Sequence, residues 1–591
     1  MRMKRRYYPL AFVFLCLLAQ SSIAQKGLQI EYTVTLADPA SQQFHVSTTI
    51  SNINQPELVL SLPAWTPGWY TVENYLKNVL RFRITDASGK ILPHVMSKKQ
   101  TWNVSTRGIR ELKVEYDYQA TVLALNQAKI TKDFAFFTGI ELFLQAEGHR
   151  DEPATVHFQI PAGWKIISAL KETNDPMTFT ASDYDTLVDA PTEMGKFDVT
   201  RFEVEGKPHF FVSNPAGAFT GEKAREFVDM MAKIVKADSA IFGGLPYEKY
   251  VMFYFFAWPE SNAGGALEHL NSFVAFARPA KVATPKELMG TAAHEYFHLW
   301  NVKRIRPAEM WPYDYSRENE TPLLWVSEGF TSYYSAVAQH RAGLITTENF
   351  LQQTAEIAAR NENNEARNYI SPANSSVSTW IGYDTPVAFA ISYYTQGQNL
   401  GALLDLSIRN DTDGKESLDD VMRSLFSDFY QRGRGFTTED MIAIINRLTK
   451  KDYHDFYRRY VFGTEVPDYD RIFGYAGYQL QKKDQREVEL GFSGNFRGNG
   501  FAVDLVEPNS PASVAGLHSG DLIVKLDGQP ASAYPIDSAA GKTVKLTVVR
   551  DEKQTEFPIT FGSRSVKAFA LVSVQTPSPQ QLKIRKSWLN R

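Results

Sequence analysis

The period at which apolar residues recur changes twice along the chain, and this limits the folds open to it more than any other feature. In residues 25–194 apolar and polar residues alternate strictly, as residues 28–36 show, which is typical of strands buried on one face. The period then becomes helical, with an amphipathic helix predicted over residues 222–241. From residue 474 short strands and turn signals return. The sequence therefore predicts a multidomain fold: an N-terminal β-sandwich, a mainly α domain and a small C-terminal α+β domain.

Length and composition agree with this division. The chain has 591 residues, which at roughly 150 residues per domain leaves room for about three to four domains. Apolar residues make up 43% and charged residues 22% of the chain, proportions that exclude a disordered or polytopic membrane protein. The predicted limits are residues 1–24 for a signal peptide, 25–194 for the β-sandwich, 195–473 for the mainly α domain, 474–562 for the small domain and 563–591 for a C-terminal tail. The tail is interpreted either as loosely packed or as a docked strand over residues 568–574.

Residues 1–24 have the pattern of a secretory signal. Four positive charges precede an apolar run at residues 10–19, and Ser22-Ile23-Ala24 offers a small-x-small cleavage pattern. An uncleaved membrane anchor is the alternative, although the run is shorter than the ~18–20 residues that span a bilayer. We expect an exported protein, periplasmic or extracellular, with no integral membrane segment once the signal is removed.

Net charge and cysteine content narrow the function further. Lys and Arg number 63 against 66 Asp and Glu, and without the four charges of the signal the balance is 59 against 66, or −7. Such a chain lacks the basic excess that a nucleic acid partner requires. The single cysteine, Cys16, lies in the predicted signal. The mature chain therefore has no disulfide, and any metal site must use His and carboxylate ligands.

The segment His294-Glu295-Tyr296-Phe297-His298 carries the strongest chemical signal. It lies two to three turns into a helix that Thr284 is predicted to cap. Residues i and i+4 project from one face of a helix, so both imidazoles can bind one zinc ion while Glu295 points to the place of an activated water. A packed helix with incidental histidines is the alternative, but two unliganded histidines would be costly to bury there.

A third ligand is needed, because catalytic zinc takes three protein ligands and keeps one position open. Glu328 is the only acid in the apolar and aromatic segment 325–334, and a carboxylate in such surroundings requires a cation. Glu318 and Glu320 are weaker candidates because they lie in a polar segment. We therefore expect His294, His298 and Glu328 to hold one zinc ion per chain.

The sequence HEYFHLWNVKRIRP, residues 294–307, and the segment around Glu328 closely resemble the glycyl aminopeptidase family. Its members are zinc peptidases of the thermolysin-like group with a C-terminal PDZ domain. The resemblance extends over nearly the whole mature chain: residues 62–70 and 206–209 resemble signatures of the N-terminal domain and of its junction, and residues 508–528 resemble the second half of a bacterial PDZ domain. It implies a thermolysin-like fold for the mainly α domain and a PDZ fold for the small domain.

The same resemblance implies a site for the substrate's N-terminus. The segment with Gly264, Gly265 and Glu268 is similar to the family's exopeptidase loop, whose acid binds the α-amino group of the substrate. Here Ala266-Leu267 stands where a single Gly-Met spacing is common. A carboxylate near the metal is physically suited to select a free, positively charged N-terminus.

An oxyanion donor is also implied by the resemblance. Residues 392–397 are similar to the tyrosine segment that supplies a phenol to the oxyanion in related aminopeptidases. Gln396 stands where lysine is usual, which leaves the donor itself intact. Tyr394 is the preferred donor, and Tyr393 stays open as the alternative.

Together these features predict an exported zinc aminopeptidase that removes small first residues, glycine or alanine, from peptides. Glu295 is expected to take a proton from the attacking water and to return it to the leaving amine. Peptide or protein N-termini are the expected substrates, and the PDZ domain is expected to bind a chain end. Two alternatives stay open: a zinc endopeptidase or broad aminopeptidase with the same site, and a non-catalytic PDZ scaffold in which the zinc is structural.

Overall fold

The computed structural model describes residues 27–256, 265–381, 392–497 and 500–590. They form an N-terminal region rich in β-strands (residues 27–196), a mainly helical middle region (residues 197–476) and a third region built on β-strands (residues 478–573). The predicted fold class is confirmed in this order. Cys16 and the predicted signal, residues 1–24, lie outside the described residues.

The N-terminal region consists of three sheets around one apolar core. Every second residue is buried in the strands Gln29–Thr35, Gln43–Ser51 and Glu111–Gln119, which is what the alternating sequence predicts. The seven-stranded sheet has, in order, Lys171–Glu172, Thr178–Ala181, Ala154–Gln159, Gln29–Thr35, Gln43–Ser51, Glu111–Gln119 and Val79–Asp86. The five-stranded sheet has Lys165–Ser168, Pro191–Gly195, Phe134–Thr138, Gln127–Ile130 and Thr121–Ala124. The four-stranded sheet has Gln145–Ala146, Glu57–Ser61, Thr101–Ser105 and His94–Lys98, and two short helices lie at Gly139–Leu142 and Tyr184–Val188.

The apolar core of the N-terminal region continues into the middle region. Val302, Met310 and Leu324 of the middle region are buried in it. A second apolar cluster joins Phe136 of the N-terminal region to Phe253 of the middle region, whose ring centroids are 6.2 Å apart. Because the two regions share buried side chains, residues along their boundary are held in fixed positions.

A five-stranded mixed sheet crosses the middle region. Its order is Asp198–Val204, Lys207–Asn214, Tyr250–Phe255, Ser272–Phe276 and Ala266–His269. The central strand Tyr250–Phe255 is buried at every residue and pairs in parallel with both neighbours, which explains its unbroken apolar sequence. The last strand, called the edge strand here (Ala266–His269), pairs antiparallel with its neighbour and places Glu268 opposite Phe273.

Helices make up the rest of the middle region, and several begin where the sequence predicts. The helix predicted over residues 222–241 lies at Gly221–Phe242. Thr284 forms a capping box with Glu287, as Ser417 does with the residue three positions later. These reciprocal side-chain contacts satisfy backbone N–H groups that have no partner inside the helix.

Three helices contain or directly adjoin candidate site residues. They are the histidine helix, Pro285–Phe297, the glutamate helix, Gly329–Arg341, and the tyrosine helix, Tyr393–Asp411. The other helices lie at Leu324–Ser327, Thr347–Asn363, Pro372–Val377, Leu418–Asp428, Thr438–Thr449, His454–Tyr460 and Tyr469–Gly474. Across the described ranges, no helix combines the length and the apolar character needed to cross a membrane.

The third region is a six-stranded sheet carried on a two-stranded ribbon. The sheet contains Phe492–Arg497, Gly500–Val506, Leu522–Leu526, Thr543–Arg550, Lys553–Thr560 and the short Gln529–Pro530, with one short helix at Pro511–Ala515. In the ribbon, Tyr478–Glu489 pairs antiparallel with Gly562–Ser573 along its whole length. The chain therefore enters and leaves the sheet along neighbouring strands.

Of the two interpretations of the residues after 562, the structure shows a docked strand and not a loosely packed tail. They supply the second ribbon strand, Gly562–Ser573, and then the helix Pro579–Trp588, which docks on the middle region. Trp588 is 5% exposed and donates from Nε1 to the Tyr333 hydroxyl over 3.0 Å. Arg409 donates to the carbonyl oxygen of Ser587 over 2.7 Å. The segment is ordered because it fills part of the core of the middle region.

Candidate functional site

Three ligand atoms meet where the histidine helix ends and the glutamate helix begins. The Nε2 atoms of His294 and His298 are 3.0 Å apart. Glu328 places its Oε2 atom 3.4 Å from the first of these nitrogens and 3.2 Å from the second. A tetrahedral zinc ion with ligand distances of about 2.0–2.1 Å separates its ligands by roughly 3.3 Å. The three atoms therefore have the spacing that one zinc ion requires.

Hydrogen bonds hold the outer nitrogens of both imidazoles. His298 Nδ1 lies 2.7 Å from the carbonyl oxygen of Asn301. Because a carbonyl only accepts, Nδ1 carries the proton and Nε2 keeps its lone pair for a metal. His294 Nδ1 lies 3.3 Å from Ser332 Oγ on the glutamate helix. Both rings are thereby turned with Nε2 toward the third ligand.

Asn301 also connects the segment that carries the two histidines to the segment that leads into Glu328 through hydrogen bonds. Its side-chain amide donates to the carbonyl oxygens of Val326 over 2.9 Å and Ser327 over 3.2 Å, directly before Glu328. Thr331 of the glutamate helix donates to the Asn301 carbonyl over 2.9 Å. The backbone that leads into Glu328 is thus fixed relative to the histidines.

Two further carboxylates, Glu295 and Glu268, approach the same point. Glu268, Glu295 and His298 each offer a ligand atom within 4.8 Å of the others. Both carboxylates are nearly buried, and Glu295 Oε2 and Glu268 Oε1 have no hydrogen-bond partner among the described residues. Burial raises the pKa of Glu268 to about 7 and that of Glu295 well above its ordinary value. Such groups require a cation or a donor from outside the chain.

The residues present fit a divalent metal ion, and zinc best of all. Two imidazole nitrogens and one carboxylate oxygen form the His2Glu donor set of catalytic zinc sites. Glu328 is 1% exposed, and its Oε2 atom has no hydrogen-bond partner within the described ranges. A metal ion at the point that His294 and His298 also face would stabilise a buried carboxylate of this kind.

Asp189 of the N-terminal region fixes the edge strand that carries Glu268. It accepts hydrogen bonds from His269 Nδ1 over 2.9 Å, from the Leu270 amide over 2.8 Å and from Lys303 Nζ over 2.9 Å. Burial would raise the pKa of Asp189, but the charge of Lys303 and the contact with His269 lower it. One buried anion therefore joins the N-terminal region, the edge strand and the segment that follows the histidine helix.

Gly68 and Tyr70 of the N-terminal region form a wall beside Glu268. Gly68 has a φ of +95°, and a Cβ atom there would lie 2.7 Å from both carboxylate oxygens of Glu268. Only glycine leaves that carboxylate in place. Burial and the nearby charges of Glu328 and Glu268 raise the pKa of Tyr70, whose hydroxyl has no partner in the part of the chain that the structure describes. Protein therefore closes this side of the site.

Tyr393 and Tyr394 begin the tyrosine helix next to His294. The ring of Tyr394 lies 6.0 Å from the ring of His294, with 27° between their planes, and Tyr394 is 38% exposed. The Tyr393 hydroxyl is 3.0 Å from Thr379 Oγ1. The Tyr394 hydroxyl makes no hydrogen bond to any described residue. Of the two phenols, Tyr394 is the one left free to meet a ligand.

The structure brings five of the predicted site residues together: His294, His298, Glu328, Glu295 and Glu268. It places Tyr394 beside them. Gly265 lies exposed at the start of the edge strand with a φ of +119°, and Gly264 lies outside the described residues.

Sequence reasoning did not identify the supporting residues Asn301, Asp189 and Tyr70. Asn301 lies inside the recognised segment 294–307 and Tyr70 inside the signature 62–70, so the motifs contained them without indicating what they contact. Asp189 gave no signal, because its partners lie 80 or more positions away along the chain.

Three successive parts of the chain match protein-family models. Residues 31–196 match the Peptidase M61 N-terminal domain, residues 287–400 match the M61 glycyl aminopeptidase and residues 479–549 match the PDZ domain. The second match contains His294, His298 and Glu328.

Solved and curated proteins add partial similarities. The crystal structure of an aminopeptidase N family protein from Idiomarina loihiensis matches 95% of this chain and 100% of its own, with a TM-score of 0.81 and 24% identity, so the two share a fold. Magnetosome formation protease MamE of Paramagnetospirillum magneticum is 36% identical over 87 residues, and serine endoprotease DegS of Salmonella typhimurium is 36% identical over 95 residues. These matches cover 14% and 15% of this chain, which spans only 12% and 26% of the two relatives.

Proposed function

Because the chain belongs to the M61 glycyl aminopeptidase family of metallopeptidases, we propose that it is an exported zinc aminopeptidase that removes small first residues, glycine or alanine, from peptides. One observation carries the proposal. The ligand atoms of His294, His298 and Glu328 lie 3.0–3.4 Å apart, and the buried carboxylates of Glu295 and Glu268 approach the same point.

His294, His298 and Glu328 would hold the zinc ion, which when bound supplies a Lewis acid that polarises a carbonyl and lowers the pKa of a water molecule. Glu295 follows the first ligand directly, and its Oε2 atom has no hydrogen-bond partner among the described residues. It accepts a proton from the attacking water and then delivers that proton to the leaving amine. One side chain therefore serves as base and acid in turn.

Glu268 would bind the free N-terminus of the substrate. Its Oε1 atom is buried and lacks a partner in the described ranges, and an ammonium group supplies both the positive charge and the donor that it lacks. Asp189 holds the strand that carries it. Gly68 packs closely against this carboxylate and against Leu267, and such close packing beside the bound N-terminus would favour a first residue with a small side chain.

Tyr394 would assist the negative charge that develops on the carbonyl oxygen. Its ring stacks on that of His294, and its hydroxyl is free of partners among the described residues. A phenol at this place donates a hydrogen bond to the oxyanion. Tyr393 is the weaker candidate because its hydroxyl already contacts Thr379.

A zinc endopeptidase or broad aminopeptidase is the second candidate, since it would use the same ligands and the same base. The burial of Glu268 beside the ligands favours an enzyme that selects a free N-terminus. A non-catalytic scaffold is less favoured, because it has no need of the unpartnered Glu295 oxygen. Because positive charges precede the apolar run at residues 10–19, we propose that the enzyme is located in the periplasm or outside the cell. We also propose that the third region binds a chain end.

Cleavage of matched peptides with free and acetylated N-termini tests the proposal. Glu268→Ala should lower kcat/KM for free N-termini by about 30-fold or more, because a buried charge pair is lost. Zinc content and the slow cleavage of acetylated peptides should stay nearly unchanged. Glu203→Ala, an exposed glutamate of the same sheet, is the control.

Removal of zinc by a chelator should abolish both activities. Equal losses for free and acetylated peptides in Glu268→Ala would mean that Glu268 supports the fold or the metal site. The endopeptidase would then replace the aminopeptidase.

A further inference from the structure

We propose that the open groove beside His294 and Glu295 binds the main chain of the peptide on the C-terminal side of the scissile bond. The preferred substrates are then unblocked peptides of three or more residues. The enzyme does not select the charge of the side chains that follow the scissile bond. The proposal rests on the aminopeptidase function and adds a substrate class to it. The groove has a volume of about 460 Å³, within the roughly 300–1,000 Å³ of ordinary ligand sites.

The two sides of the metal site differ in how far a peptide can extend. On the side of Glu268, Gly68 packs so closely that a methyl group added to it would overlap both Leu267 and the carboxylate of Glu268, and Glu268 is 3% exposed. A substrate chain therefore ends there at its first residue. On the side of His294 and Glu295 the groove opens between helices and offers the remaining residues a path away from the metal site.

Four helices line the groove. The histidine helix contributes Gly290 and Thr291, and the glutamate helix contributes Ser332, Ser335, Ala336 and Gln339. Gln353 comes from the helix Thr347–Asn363, and Tyr394 and Gln398 come from the tyrosine helix. Apart from His294 and Glu295, the described lining carries no charged side chain.

Three glutamine amides in this lining are suited to a peptide main chain. The side-chain amides of Gln353 and Gln398 make no hydrogen bond to any described residue, and both residues are only partly buried. Gln339 uses its Nε2 atom on the carbonyl oxygen of Ser335 over 3.1 Å, which leaves its Oε1 atom available. An extended peptide presents N–H and C=O groups in turn, and an amide side chain can pair with both. The groove therefore offers contacts to the main chain and, beyond His294 and Glu295 at the metal site, no described charge that would select side chains.

Chain-length dependence tests this inference on the zinc-loaded enzyme. The probes are Gly-Ala-NH2, Gly-Ala-Ala-NH2 and Gly-Ala-Ala-Ala-NH2, whose amidated ends keep the terminal charge constant. We expect kcat/KM to rise about tenfold or more from the shortest to the longest, since each new hydrogen bond is worth roughly two- to tenfold. In Gln353→Ala combined with Gln398→Ala, the ratio of longest to shortest should fall toward one. Gln352→Ala, the exposed neighbour on the same helix, should keep the wild-type ratio.

A charge placed in the groove provides a second test, the preference between peptides of opposite charge. A purely structural role of Gln353 would not change that preference. Gln353→Glu should favour Gly-Ala-Lys-Ala-NH2 over Gly-Ala-Glu-Ala-NH2 by about two- to fivefold, and Gln353→Lys should reverse the preference by a similar factor. The wild type should cleave the two peptides at nearly equal rates.

The outcomes separate this inference from the proposed function. If free N-termini are cleaved but kcat/KM does not rise with chain length, the groove assignment is wrong and the aminopeptidase function is unaffected. The same holds if the rise in kcat/KM persists in the double variant. A zinc-loaded enzyme that cleaves no peptide in the series overturns both.

Discussion

Glu295 and His298 are three residues apart but have different proposed roles, the first as the base and the second as a zinc ligand. Their substitutions should therefore have different effects on zinc content and activity. Glu295→Gln keeps the shape of the side chain and removes no ligand. It should retain about one zinc per chain while kcat falls about 1,000-fold or more. His298→Ala removes a ligand and should lose both zinc and activity. Metal analysis and turnover, measured on the same preparations, distinguish the two.

Either substitution can contradict the assignment. Full zinc content in His298→Ala would remove that residue from the ligand set. Activity of Glu295→Gln within a few fold of the wild type would remove Glu295 as the base.

Glu193 should make the stability of the protein depend on pH. It is fully buried, Asn214 donates to its Oε1 atom over 2.6 Å, and burial raises its pKa from 4.5 to about 8. The folded chain therefore prefers protonated Glu193, and this stabilisation is complete below about pH 4.5 and is lost as pH rises through 8. Glu193→Gln keeps the acceptor without titrating, so its Tm should fall less than that of the wild type between pH 5 and 9.

Thermal unfolding at several pH values checks this, with Glu111→Gln, an exposed glutamate of the same region, as the control. Wild-type and Glu193→Gln curves that stay parallel over the whole range would show that Glu193 does not titrate there.

Among single residues, the sequence could predict those whose partners are local. The i, i+4 spacing placed His294 and His298 on one metal, and the lone acid Glu328 completed the set. The outer support of the histidines depends on contacts made only in the folded chain. Asn301 reaches Val326 and Ser327 across a distance in sequence of 25 residues or more, and no local pattern encodes such a contact.

Between elements, the close crossing of the tyrosine helix and the glutamate helix positions Tyr394 beside the ligands. A Cβ atom at Gly397 would lie 2.0 Å from the carbonyl oxygen of Trp325 and 2.7 Å from the Cα atom of Gly329. The contact is backbone to backbone and cannot yield by side-chain rotation. Gly397→Ala should therefore force the helices apart, cost about 1–3 kcal/mol in the free energy of unfolding and lower kcat.

Chemical denaturation together with kinetics checks this prediction. Gly474→Ala, a helical glycine with no atom within 4 Å of the added Cβ, is the matched control and should be neutral or slightly stabilising. Equal stability of the two variants would show that the crossing tolerates a wider separation.

Individual elements were predictable where their ends carry side-chain signals. Thr284 and Ser417 marked helix starts because each cap contacts a residue only three positions away. The crossing at Gly397 was not predictable, since a glycine in a helix carries no indication of which element approaches it. The edge strand is short, and its partner Asp189 belongs to another region, so the burial of Glu268 followed only from the fold.

At the scale of the whole molecule, we expect the helix Pro579–Trp588 to stabilise the middle region. Ile584 and Trp588 are buried there, and Trp588 reaches Tyr333 on the glutamate helix. Trp588→Ala should lower the free energy of unfolding by about 3–5 kcal/mol, the usual cost of removing a buried tryptophan. Urea denaturation of the full chain measures the change.

Leu582→Ala, on the exposed side of the same helix, should change stability by about 0.5 kcal/mol or less. If Trp588→Ala is equally mild, the helix rests on the surface without supporting the core.

At this scale the sequence predicted the order of the three regions, because the hydrophobic period changes from one region to the next. It could not decide whether the last residues are loose or docked. The short alternating segment near Ala568 is compatible with both, and its partner strand begins about 90 positions earlier, at Tyr478. Only the pairing itself distinguishes a strand from a tail.

The ribbon makes the six-stranded sheet of the third region an insertion that could be excised. Gln485 lies opposite Val566 on adjacent antiparallel strands, which run only about 4.8 Å apart. A two-residue turn such as Asn-Gly could close them into a hairpin and replace everything between. The ribbon contact between Asn363 and Lys567 and the last helix would remain. Such a shortened enzyme would let peptide capture by the inserted sheet be separated from hydrolysis, and another binding module could be grafted in its place.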